Sequence, residues 1–185
     1  ILLSPESAGL YHIRGIAHEK VGQHERAVAD FTEAIRLEPG DAGSYFYRGL
    51  AYLNVGQHER AITDFTEAIR IDPDDHLAYN NRGFSYEQLN QLEGAVEDYN
   101  ESIRLKPDYY MAYNNRGNVY KNLSQYDHAL KNYDDAIRLV PQWPGSYHNR
   151  GDAYRRLGEY DHAIMDYREA LRLSPHPHSP SPPYV

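Results

Sequence analysis

The side chains that could do chemistry here are ten histidines, 27 acids, 19 lysines and arginines and 18 tyrosines; there is no cysteine. Histidines that share a metal on one helix must stand about one turn apart. His24 and His58 are instead 34 residues apart, as are His128 and His162, and His176 and His178 lie among prolines. No metal site and no cofactor are expected. The absence of cysteine removes thiolate catalysis, disulfides and cysteine-based zinc together. No serine sits in a strained turn of the Gly-x-Ser-x-Gly type, so a hydrolytic triad has no signature either.

Two other sets of polar residues recur at the same spacing. Arg14, Arg48, Arg82, Arg116 and Arg150 are 34 residues apart, and so are Asp30, Asp64, Asp98, Asn132 and Asp166. A half-buried guanidinium needs its charge satisfied. Structural Arg–Asp pairs are therefore the favoured reading, and a row of anion-binding arginines the competing one. Asn81, Asn115 and Asn149 form a third set, and an amide can donate and accept at once, as an extended peptide backbone requires.

The spacing is that of a repeat, placed at residues 8–41, 42–75, 76–109, 110–143 and 144–177, after an extension at 1–7. Within each copy Tyr stands fourth (Tyr11, Tyr45, Tyr79, Tyr113, Tyr147) and Gly eighth (Gly15, Gly49, Gly83, Gly117, Gly151). Ala stands twentieth (Ala27, Ala61, Ala95, Ala129, Ala163) and an aromatic twenty-fourth (Phe31, Phe65, Tyr99, Tyr133, Tyr167). Such a period implies stacked units that bury their apolar faces against one another. In the second copy Tyr45, Gly49, Tyr52 and Leu53 have helical spacing and Gly56 follows as a left-handed cap. Ala61, Ile62, Phe65, Ala68 and Ile69 form a second helical stripe, stopped at Asp72-Pro73. Each copy is thus helix A, a tight turn and helix B. The eighth-position glycine costs roughly 0.5–1 kcal/mol against Ala in a helix, and close approach of helices A and B at Gly and Ala is the expected compensation. At the turns Asn90 and Ser124 replace Gly; serine is the weaker left-handed residue, so the fourth turn is expected to be the least rigid.

These positions resemble the tetratricopeptide repeat family over residues 8–177. One departs from its common pattern: the seventh position, usually Leu, is Arg throughout. The resemblance implies an all-α solenoid, a right-handed superhelix of five antiparallel helix pairs whose A helices line a concave, peptide-holding groove. It also implies that positions 2, 5, 6, 9, 12 and 13 face inward. The candidate peptide-binding residues are then Ile16, Phe46, Tyr47, Leu50, Asn80, Asn81, Phe84, Asn114, Asn115, Asn118 and Asn149. They change from apolar and aromatic to amide, and the sixth-position asparagines are similar to the ladder in the repeat domain of O-linked N-acetylglucosamine transferases. Cochaperones that grip chaperone carboxylates need Lys at position 5, where this chain has His12, Phe46, Asn80, Asn114 and His148. That clamp is absent. Basic character near the groove edge sits late, at Lys121, Arg155 and Arg156, against Glu19 and Glu87 earlier. Helix B is nearly the same in the first two copies while helix A differs, which also points to helix A as the binding surface.

A net charge of −8 and a pI near 5.6 oppose a nucleic-acid partner, which would require a basic face. No apolar run approaches the ~20 residues of a membrane span, so no membrane partner is expected. The compartment is left open, with the cytoplasm favoured. The start at Ile1 and the proline-rich end at 178–185 suit a fragment or processed chain; that end is expected to be an extended tail. With that tail in place of a closing helix, Ile164, Tyr167 and Leu171 are expected to stay uncovered and to favour a homo-oligomer through the last repeat. The function expected is a non-catalytic scaffold that binds an extended peptide of a protein partner. The alternatives are a self-assembling repeat module and the targeting domain of a larger enzyme.

Overall fold

The computed structural model describes residues 7–174. The extension at 1–6 and the proline-rich tail lie outside the described residues. Ten helices and no strand are present among those described: α1 (Ala8–Lys20), α2 (His24–Leu37), α3 (Ala42–Asn54), α4 (His58–Ile71), α5 (His76–Gln88), α6 (Leu92–Leu105), α7 (Tyr110–Asn122), α8 (Tyr126–Leu139), α9 (Pro144–Leu157) and α10 (Tyr160–Leu173). They divide into two compact units, Ile1–Lys106 with α1–α6 and Pro107–Val185 with α7–α10. In each unit a helix packs most heavily on its hairpin partner and next on the helix that follows, while successive A helices touch lightly. The chain is an all-α solenoid of helix pairs.

The turns that make the hairpins are chemically uniform. Gly22, Gly56 and Gly158 take φ of 74°, 73° and 81°, and Asn90 and Ser124 take 58° and 59° in the same place. After each, the next backbone N–H returns to the helix, as Gln23 does to the His18 carbonyl at 2.9 Å and Gln57 to the Tyr52 carbonyl at 2.8 Å. Gly22 itself bonds the Glu19 carbonyl at 3.0 Å, which completes a Schellman motif. Helix B stops before proline: Glu38, before Pro39, leaves the helical region at φ −136° and ψ 80°. Asp41 and Asp75 then cap α3 and α5 by accepting two backbone N–H groups each. Tyr109 and Trp143 hold the corresponding places before α7 and α9 and make no side-chain cap.

The eighth-position glycines are close-approach sites, but their partner is not the twentieth-position alanine. A Cβ on Gly15 would stand 2.7 Å from the Phe31 ring, and one on Gly117 would stand 2.6 Å from the Tyr133 ring. The aromatic of helix B lies directly over the glycine of helix A. The alanine faces onward instead: Ala27 and Phe31 cluster with Ala51 of α3, and Ala129 and Tyr133 cluster with Ala153 of α9. Glycine therefore sets the packing within a hairpin, and alanine sets it between one hairpin and the next.

The arginines are structural. Arg14, Arg48, Arg82 and Arg150 each place Nε and Nη2 on both oxygens of Asp30, Asp64, Asp98 and Asp166, at 2.6–2.8 Å. Each of these guanidinium carbons, and that of Arg116, also stands over the tyrosine ring one turn earlier, 5.3–5.8 Å from its centroid. The remaining Nη1 reaches back to the preceding helix B: Arg48 to Thr32 at 3.1 Å, Arg82 to Thr66 at 3.2 Å and Arg150 to Asp134 at 2.6 Å. One side chain thus ties its own hairpin together and docks it on its predecessor. Side-chain exposure records the difference: 60% for Arg14, at the start, against 17% for Arg48 and Arg82. In the fourth copy Arg116 Nε donates to Asn132 Oδ1 at 2.8 Å. Burial without a carboxylate in that place lowers the pKa of Arg116, whereas the hydrogen bond that Arg150 donates to Asp166 leads the rise at Arg150.

Candidate peptide-binding face

In the first unit the candidate residues form an aromatic nest between α1 and α3. Tyr47 stacks on Phe31 with ring centroids 5.9 Å apart, and Phe46 sets an edge against Tyr47 at 5.5 Å. Ile16 and Tyr47 pack on the Ala27–Phe31–Ala51 cluster, and Phe46 packs on Ala68, Ile69 and Ala78. Ile16, Phe46, Tyr47, Leu50 and Phe84 are all half-buried, so each keeps part of its apolar surface in solvent. Asn80 and Asn81 differ: both are 5% exposed, and Asn81 Nδ2 donates to the Leu77 carbonyl at 2.9 Å. These two amides do not stand open to a ligand.

His12 belongs to this nest and was not among the candidates. Its ring meets Phe31 and Tyr47 edge-on, at 5.7 and 5.5 Å. Its Nδ1 lies 2.8 Å from Ser44 Oγ, which in turn donates to Asp41 at 2.5 Å. Since the hydroxyl proton is directed at Asp41, Nδ1 is the donor to Ser44. The trio has the composition of a hydrolytic triad with the wrong proton order, and Ser44 is wholly buried, out of reach of any substrate. It orients His12 and fixes the start of α3.

In the second unit the amides bond one another. Asn149 Nδ2 donates to Asn114 Oδ1 at 3.1 Å, which links α9 to α7. Asn118 Oδ1 accepts the Tyr133 hydroxyl at 2.9 Å, and Asn115 is half-buried. At the next ninth position Asp152 Oδ1 accepts the Tyr167 hydroxyl at 2.8 Å. Burial alone would raise the Asp152 pKa, but that hydroxyl, then Lys121, His148 and Arg155, outweigh it and hold the carboxyl below its ordinary range. The last turns of α7 and α9 bring Lys121, Arg155 and Arg156 around an open pocket of about 380 Å³, with Asn122, Ser124 and Tyr126 in its wall. Among the described residues no group of three or more His, Asp or Glu could hold a metal ion, and no helix is long and apolar enough to cross a membrane.

The architecture is that of a helical repeat protein, and sequence comparison names the kind. Tetratricopeptide repeat (TPR) family models match residues 14–76, 65–97, 86–124 and 108–175, which together run without a gap. The chain belongs to the tetratricopeptide repeat family. Comparison with curated proteins gives no match. Among solved structures the chain is similar to MamA from Desulfovibrio magneticus RS-1, with 22% identity and a TM-score of 0.83 over 93% of this chain and 97% of that one. It is similar to YrrB, described as a TPR protein with an unusual peptide-binding site, with 21% identity and a TM-score of 0.74 over 94% and 90%. It also resembles part of the APC/C hetero-tetramer Cut9–Hcn1, with 27% identity and a TM-score of 0.81 over 93% of this chain and 34% of that one. These likenesses show the fold, an array of helix pairs, for this chain too.

Proposed function

We propose that the chain is a non-catalytic scaffold whose A helices bind an extended peptide segment of a partner protein. The observation that carries this reading is the division of labour between the helices. Helix B supplies the packing aromatic of every copy and the arginine's partner, Asp in four copies and Asn132 in the fourth, while helix A carries half-buried Phe46, Tyr47, Leu50 and Phe84 in one unit and Asn114, Asn115 and Asn149 in the other. The peptide-binding site named for YrrB and the complex named for Cut9–Hcn1 support protein partners for this architecture. In the first unit the peptide places apolar side chains against the aromatic nest. In the second its backbone exchanges hydrogen bonds with the amides of Asn115 and Asn149. A half-buried aromatic that closes over an apolar group is worth ~2 kcal/mol or more as a hot spot, against roughly 0.5–1.5 for one net hydrogen bond. In a fluorescence-anisotropy assay with peptides enriched by display against this chain, Phe46→Ala should therefore weaken binding more than Asn115→Ala. Affinity unchanged by both substitutions would move the site elsewhere.

A second reading, self-association through α10, is favoured by one observation. Leu171 is 73% exposed and Ile164 46%, whereas Ile69, equivalent to Leu171 in the second repeat, is 9% exposed. Self-association through α10 leaves the A helices available to a peptide.

A further inference from the structure

We propose that the pocket between the last turns of α7 and α9 is a subsite for a single peptide carboxylate, so that the segment bound by this scaffold is acidic at that point. The proposal rests on the peptide-binding reading above and adds the chemistry of the ligand.

Three cations, Lys121, Arg155 and Arg156, line the pocket with one acid, Asp152. That is a local surplus of two positive charges (three minus one) in a chain whose net charge is −8. Asp152 does not draw the cations into tight pairs. Arg155 Nη2 stands 3.5 Å from Oδ1 and Lys121 Nζ 3.9 Å from Oδ2, while the short contact to Asp152 is the Tyr167 hydroxyl at 2.8 Å. The structural Arg–Asp pairs of the same molecule close to 2.6–2.7 Å. Charge-assisted bonds prefer about 2.7–2.9 Å, so the bonds of Arg155 and Lys121 to Asp152 are long ones, and an entering carboxylate would make shorter bonds to the same wall.

Helix-end electrostatics alone do not require this wall. Cations favour the C-terminal turn of any helix, yet α3 and α5 have no basic residue in their last turns. The residues equivalent to Lys121 and Arg155 are Glu19, Leu53 and Glu87, and Glu19 accepts from Asn54 at 2.9 Å. The repeat folds with either sign or none at this place. The basic pair of neighbours is specific to the second unit, and its pocket has the size of a small-ligand site.

The choice of a monoanion follows from Asp152 itself. Its carboxyl is held ionised, so an incoming group must neutralise the three cations beside a fixed negative charge. A carboxylate brings one like charge toward it and a phosphate dianion nearly two. An Asp or Glu side chain and a peptide C-terminus both supply the required group.

The test uses a random peptide display selection on the full chain, followed by anisotropy titrations of labelled synthetic peptides from the enriched pool. Enriched sequences should carry Asp, Glu or a free C-terminus at a fixed position. Replacing that group by Gln or a terminal amide, which also tells the two sources apart, should weaken binding about tenfold or more. The Arg155→Gln/Arg156→Gln double variant should erase that difference while its thermal melt stays that of the parent. Peptides that bind without acidic preference, or whose Gln forms bind equally well, overturn the carboxylate subsite and leave the scaffold reading standing. A phosphoserine form that binds better than the Glu form overturns the monoanion assignment. A selection that enriches no peptide overturns both readings.

Discussion

The hydroxyl of Tyr167 in α10 donates to Asp152 of α9, and the same relation joins Tyr133 to Asn118 one repeat earlier, at 2.8 and 2.9 Å. In the first two repeats the aromatic is Phe31 or Phe65, and the ninth-position residue across from it is Ile16 or Leu50. A hydroxyl added to the buried ring needs an acceptor, and the acceptor lies on helix A. Tyr99 meets the same need through Glu87 at 3.1 Å, which leaves Phe84 apolar. The change from apolar to polar residues on the candidate face is therefore coupled to Phe against Tyr on helix B.

Tyr167→Phe should cost about 1.5 kcal/mol at neutral pH, the low end for a hydrogen bond to a charged group because Asp152 is partly exposed. The Asp152 pKa is depressed in the folded state, so this stabilisation is full above the ordinary carboxylate value, about 3.9. It is lost as pH falls through the folded value. Urea melts of both proteins from pH 7 down to pH 2 should show the difference shrink with acid; a penalty independent of pH would refute the coupling.

Asn132→Asp should stabilise the fourth repeat. Arg116 is left with one bond to Asn132, while its four counterparts hold a carboxylate at both oxygens. Restoring the pattern of the other repeats should add about 0.5–2 kcal/mol and return the Arg116 pKa upward. A calorimetric melting temperature at or below that of the parent would show that the amide, which also donates to the His128 carbonyl at 2.8 Å, is the better residue there.

At the fourth turn Ser124 holds φ at 59°, a conformation that costs a side chain other than Gly roughly 1–2 kcal/mol. Allowing for the added freedom of glycine in the unfolded chain, Ser124→Gly should gain about 0.5–1 kcal/mol. Asn90→Gly should gain less, because Asn tolerates that region. Amide exchange at Gln125, whose N–H closes the turn on Tyr120, should slow in the Ser124 variant; equal exchange in both proteins would count against the expected looseness of this turn.

Gly117→Ala should be more damaging than Gly83→Ala. The added methyl would stand 2.6 Å from the Tyr133 ring in the first case and 3.1 Å from the Tyr99 ring in the second. Crowding of about 1–3 kcal/mol at Gly117 exceeds the gain of ~1 kcal/mol from alanine in a helix. At Gly83 the two should nearly cancel. Chemical denaturation of the pair settles it, and equal midpoints would mean that the rings shift freely.

The exposed face of α10 should support a closed dimer and resist open-ended stacking. Head-to-tail contact would bring Arg14 of one copy to Arg168 of another, at the place where Arg48 meets Thr32 and Arg150 meets Asp134 within the chain. Each large apolar side chain covered there is worth about 1.5–3 kcal/mol. Light scattering should give a dimer, Ile164→Lys a monomer, and Arg168→Asp assemblies that grow with concentration. A wild-type monomer, or an Arg168→Asp protein without growth, would contradict this account.

The sequence by itself determined the ten helices, the left-handed turn residues and the Arg–Asp pairing. Each is written in a short pattern repeated at one spacing, and a local rule such as a proline stop or a positive φ needs no distant neighbour to act. What only the tertiary structure decided concerns directions and distances between side chains on different helices. Glycine at the eighth position was legible as a close-approach site, but that it lies under the aromatic while alanine faces the next hairpin depends on how the helices are turned. The asparagines were legible as hydrogen-bonding residues, yet whether an amide is open, as the period alone suggests, or buried and bonded to its own helix, as Asn81 is to Leu77, depends on its surroundings. The third contacts of Arg48, Arg82 and Arg150, the His12–Ser44–Asp41 cluster and the pocket around Asp152 join residues from separate helices, and the period that places such residues in the fold does not say which way their side chains point.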